Sequence, residues 1–73
     1  MTPFAPHYYA LRERPDHPED IEAHEAIETM FRTREFTKGD AIGTLIDQLD
    51  VEARTAGRRF QRLVSTGAVC SLS

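Results

Sequence analysis

Tryptophan is absent from this 73-residue chain, and cysteine occurs once. The single thiol, Cys70, has no partner within the chain, so no internal disulfide can brace the fold. A reducing, cytoplasmic setting is the default expectation for such a composition. In its apolar C-terminal run, Cys70 reads as a packing residue rather than a nucleophile. Apolar runs are short, and none approaches the roughly 18 residues that a membrane-crossing helix needs. The opening residues, MTPFAPHYYALRER, lack a basic segment followed by an apolar core, so they do not read as a secretory leader. What remains is one small domain at most. A chain of this size buries only about 60% of its unfolded surface, and a compact helical fold or a dimer offsets that shortage.

Acid is missing from a second place. Residues 54–73 contain four arginines and no Asp or Glu, a net of +4. Residues 1–53 hold all twelve acids and five bases, a net of −7, and the whole chain is at −3. A split of this kind points to a polyanion-facing end, or to a charge match between two parts of one molecule. All four prolines, Pro3, Pro6, Pro15 and Pro18, fall in the first 18 residues. They disfavour a long helix there and predict an extended N-terminal arm over 1–17, with at most a short helical turn at Tyr8–Glu13. The arm's aromatics, Phe4, Tyr8 and Tyr9, need a surface to cover, either the helical body or a partner.

Three helices follow. Pro18 suits a first helical turn, with Asp16 or His17 as the cap and Glu19, Asp20 and Glu22 at the positive end of the dipole. Ala23, Ile27, Met30 and Phe31 recur at helical spacing, bordered by Ile21 and His24, and the helix is expected to end near Thr33. Arg34-Glu35-Phe36 leaves room for one bridging strand. Thr37 and Asp40 form a capping box, in its less common Asp form, for a helix from Lys38 to about Gln48. Its expected buried stripe is Ile42, Leu45, Ile46 and Leu49. Gly43 weakens it by about 1 kcal/mol relative to Ala, so either something packs closely there or the position is tolerated. Asp50 is the expected cap of the third helix, which runs from Val51 or Glu52 to Ser65 with Ala53, Ala56, Phe60, Leu63 and Val64 inward. Gly67 stops it, and Ala68–Leu72 reads as a strand.

Residues 36–69, FTKGDAIGTLIDQLDVEARTAGRRFQRLVSTGAV, resemble the helix-turn-helix core of winged-helix domains. They share a capped helix, a short turn and a second helix that ends in the pattern xxLxxxGxV, here Arg62 to Val69. The resemblance implies a mostly α, three-helix winged-helix-like domain over 18–73, with short strands. It departs from the pattern after Gly67, where a winged helix continues into a hairpin and this chain has only a few residues. An open strand edge at 68–72 invites pairing with a second copy, so a homodimer through those residues is expected; pairing with Arg34–Phe36 is the competing expectation.

In such a fold the second helix of the motif enters the major groove of double-stranded DNA. Arg54, Arg58 and Arg62 stand at i, i+4 and i+8, with Thr55 and Arg59 beside them. Gly57 is small enough to let a backbone approach. Arginine pairs bidentately with guanine and with phosphate. The expected assignment puts Arg54, Thr55 and Arg58 toward bases, and Arg59, Arg62 and Lys38 toward phosphates, in a transcriptional regulator. The bland reading of the same residues is a solvated basic face that balances the acidic first helix. A rival reading starts from that helix, with its Glu19, Asp20, Glu22, Glu25 and Glu28: the chain resembles, in size and charge only, small phage-encoded inhibitors of the anti-CRISPR kind, which would bind and block a nucleic-acid-handling protein complex through the acidic helix or the arginine helix.

Catalytic and metal constellations are not expected. His17 and His24 stand two helical turns apart, and His24 with Glu28 supplies two ligands where a site needs more. Gly39 and Gly43 lack the phosphate-loop lysine pattern. Ser65-Thr66 beside Gly67 is helix-end chemistry. The expectation is therefore a non-enzyme without cofactor.

Overall fold

Alternate residues of Tyr8–Leu11 divide between two faces, and this segment forms the first element, strand β1. The computed structural model describes residues 7–72. Helix α1 spans Pro18–Phe31, strand β2 is Phe36–Thr37, helix α2 is Lys38–Leu49, helix α3 is Ala53–Thr66 and strand β3 is Val69–Ser71. The fold is mostly helical, as expected, with a small three-stranded antiparallel sheet in the order β2-β1-β3.

The N-terminal segment departs most from expectation. Tyr8–Leu11 is neither a helical turn nor a peripheral arm, but the middle strand of the sheet. It pairs Tyr8 with Thr37 and Tyr9 with Phe36 on one side. On the other it pairs Tyr9 with Ser71, Ala10 with Cys70 and Leu11 with Val69. Strand β3 therefore joins β1 rather than β2, and only its outer edge stays open. Tyr9 faces the core, edge-on to Phe60 at 5.1 Å between centroids, and stacks toward Phe36 at 6.5 Å. Pro3, Phe4 and Pro6 lie outside the described residues.

The helices start and stop for identifiable reasons. His17 caps α1 through Nδ1, which accepts from the Glu19 N–H. Both halves of the α2 capping box form: Thr37 Oγ1 accepts from the Asp40 N–H, and the Asp40 carboxylate accepts from the Thr37 N–H. Asp50 does not cap α3. It sits in the left-handed region at the end of α2, a conformation Asp tolerates better than most residues, and Glu52 takes the N-cap of α3 without a side-chain hydrogen bond. Gly67 ends α3 at φ 84°, where any side chain is strained.

Ala23, Ile27, Phe36, Ala41, Leu45, Ala56, Phe60, Leu63 and Val69 form the core. Three residues expected inside are not: Met30 is 44% and Ile46 37% exposed, and Ala53 is exposed at the start of α3. The inward face of α1 keeps the expected Ala23 and Ile27, adds Asp20, His24 and Ala26, and leaves Phe31 half-buried against the core. Thr44 replaces Ile46 inside because its hydroxyl donates to the Asp40 carbonyl and so loses no hydrogen bond on burial. Gly43 has no neighbour within 4 Å of where a Cβ would stand, so it is tolerated rather than required. No helix of the described residues is long and apolar enough to cross a membrane.

Candidate functional site

Helix α3 carries four of the chain's nine basic residues, and its packing divides them. An i, i+4 step overshoots a full turn by about 40°, so Arg54, Arg58 and Arg62 drift by roughly 80° around the helix. The drift turns Arg62 toward α1. Its Nε donates to both carboxylate oxygens of Asp20, at 3.0 and 3.3 Å. Asp20 is 3% exposed, so this guanidinium is the counter-charge that permits its burial. Arg59, on the same side, donates to Glu22 at 2.8 Å and lies 3.8 Å from Glu19. The expected charge match between the acidic first helix and the basic late helix therefore forms for half of the arginines of α3. Arg59 and Arg62 fasten α3 to the acidic start of α1 rather than standing free for phosphates.

Arg54 and Arg58 remain. Both are exposed, and neither is in an ion pair among the described residues. On the opposite, inward face of α3 are Ala56, Phe60 and Leu63, all buried in the core. Thr55 is half-buried on the flank nearer α1, so it borders the exposed stripe rather than topping it. Gly57 faces α2: a Cβ there would meet Ile42 Cδ1 at 3.9 Å, an ordinary contact. It therefore serves the helix pair and is not a point of approach for a ligand backbone. Lys38 is exposed in the first turn of α2.

Sequence reasoning missed two members of the outward stripe. Gln61 and Ser65 are exposed and continue the line of Arg54 and Arg58 at i+7 and i+11. The i, i+4 spacing of the arginines does not reach them, whereas the i+7 step from Arg54 returns within about 20° of its start and points to Gln61.

The acidic helix is also largely engaged inside the molecule. Glu19 and Glu22 face Arg59, Asp20 holds Arg62, and Glu25 accepts from Arg14. Of its five noted acids only Glu28 is in no ion pair among the described residues. The histidines are dispersed. His7 stacks on Tyr9 and contacts Ser71 Oγ, His17 is the α1 cap, and His24 is buried with Nε2 donating to the Arg12 carbonyl at 3.2 Å. Cys70 is half-buried in β3 opposite Ala10.

No protein-family model, curated protein or solved structure matches this chain. The reading of function therefore rests on the geometry of α3 and its neighbours.

Proposed function

We propose that the chain is a winged-helix-like DNA-binding protein, a transcriptional regulator that inserts α3 into the major groove. The observation that carries this reading is the division of the arginines. Arg59 and Arg62 are ion-paired with α1, Arg62 through its Nε alone, while Arg54 and Arg58 are in no ion pair and stand together on the second helix of a capped helix-turn-helix, with no acid on their face. Two exposed guanidinium groups one turn apart repel each other by a few tenths of a kcal/mol. Guanine edges or phosphates relieve that repulsion. Lys38 supplies a phosphate contact from the start of α2.

Strand topology departs from the winged-helix pattern in one respect. A winged helix pairs its post-Gly strand with the return strand of the wing. Here β1 pairs antiparallel with β3 and supplies that ladder from the N-terminal side. A homodimer along the open outer edge of β3 would set two α3 helices against two half-sites, and would raise the affinity of a unit with few contacts. The inhibitor reading through the acidic helix is less well supported, because most α1 carboxylates already face arginines of the same chain; docking of the arginine helix on a protein is the form of it that a failure to bind duplex DNA would favour.

Fluorescence anisotropy with random-sequence duplex DNA at about 50 and 200 mM salt tests the proposal. Binding should weaken as salt rises, and the double substitution Arg54→Ala, Arg58→Ala should abolish most of it. If the natural chain shows no binding at the lower salt, the DNA reading is wrong.

A further inference from the structure

We infer that Gln61 is a third base-reading side chain of α3, selecting an adenine-bearing base pair beside the guanines met by Arg54 and Arg58. This inference rests on the DNA-binding reading and adds to it the base composition of the preferred site.

The outward line of α3 is Arg54, Arg58, Gln61 and Ser65, all exposed. None of the side-chain hydrogen bonds made from α3 involves Gln61, so both halves of its amide are available. The chemistry of the line is graded. A guanidinium offers donors only, which suits the O6 and N7 acceptors of guanine. A carboxamide offers an acceptor oxygen and a donor NH2 on one carbon, which suits the N6 donor and N7 acceptor of adenine. Arg62 is adjacent to Gln61 in sequence and carries more charge, but it is turned away and bound to Asp20. Gln61, not Arg62, therefore occupies the third place on the exposed line.

Spacing sets the reach. Arg54 and Arg58 are about 6 Å apart along the helix axis, and Gln61 lies about 4.5 Å further. The three side chains thus span about 10 Å of helix axis, so the preferred half-site contains two guanines and one adenine within one short stretch of major groove. Ser65, one turn beyond, has a short hydroxyl that suits any base or a phosphate and carries no such selectivity.

Selection of binding sites from random duplexes tests this, using the natural chain, Gln61→Ala and Gln61→Glu. The natural chain is expected to select guanines and one adenine. Gln61→Ala should lose preference at the adenine position alone, with about tenfold weaker binding to the natural consensus. Gln61→Glu keeps the length of the side chain but only accepts, so preference at that one position should move to cytosine, whose N4 donates. Natural binding with unchanged base profiles in both variants overturns the role of Gln61 and leaves the DNA reading standing. Absence of any duplex binding by the natural chain overturns both.

Discussion

Asp20 is a carboxylate in the core region of a small protein, and one arginine justifies its position. Removing that arginine leaves the charge buried and unpaired. Because Arg62 itself is half exposed, water can partly enter and the cost is smaller than for a fully enclosed pair. Arg62→Ala is expected to lower unfolding stability by about 1–3 kcal/mol, measured by urea denaturation. Arg54→Ala and Arg58→Ala, which touch no acid, should each stay within about 0.5 kcal/mol of the natural chain. Equal, small losses at all three positions would show that the Asp20 pair has no structural role. Tyr9 poses a different question at the same scale. Its ring joins the sheet to Phe60 on α3 and to Phe36 on β2. Tyr9→Ala should cost about 2–4 kcal/mol, read from the same denaturation curves, whereas Tyr8→Ala on the opposite, exposed face should cost little.

At the scale of elements, caps decide where helices lie. Thr37→Ala breaks the capping box at the start of α2 and should cost about 1 kcal/mol. Gly67→Ala should cost a similar amount by another route, since a Cβ there meets nothing and the loss is wholly conformational. Thermal melting of the two variants checks both values. These caps are also why α2 and the end of α3 were legible from sequence: Thr37, Asp40 and Gly67 act over three or four residues of chain. Strand β1 was not legible, because prolines on either side of it suggest an arm and its partners, Phe36–Thr37 and Val69–Ser71, are remote in sequence. Asp20 could not be assigned inward while Arg62 was unknown as its neighbour. The same ignorance of which helix lies beside which made four arginines look like one free face. What could be read, the exposure of Arg54 and Arg58, depended only on their distance around the helix from Ala56, Phe60 and Leu63.

For the molecule as a whole, charge is arranged rather than merely summed. The net of −3 would repel a polyanion if it were spread evenly. Folding instead places the acidic first turns of α1 against one flank of α3, where they neutralise Arg59 and Arg62 and leave the exposed line of α3 cationic. The same contact limits the number of cations offered to DNA. Arg54, Arg58 and Lys38 are the free ones on α3 and at the start of α2 among the described residues, and with both arginines on base edges Lys38 is the one of the three left for phosphate. The slope of log K against log salt should then be shallow for a single chain, about −1. Releasing Arg59 changes that number without touching α3. The double substitution Glu19→Gln, Glu22→Gln removes both carboxylates that face Arg59, and as an exposed pair they contribute at most about 1 kcal/mol to stability. The variant should remain folded, bind duplex DNA several-fold more tightly at about 50 mM salt, and show a slope steeper by about one unit. The comparison to make is anisotropy titration of both proteins across a salt series. A steeper slope with higher affinity means that α1 and DNA compete for the same arginine. An unchanged slope means that Arg59 lies too far round the helix to reach a phosphate even when released, and that α1 serves only to hold α3 in place.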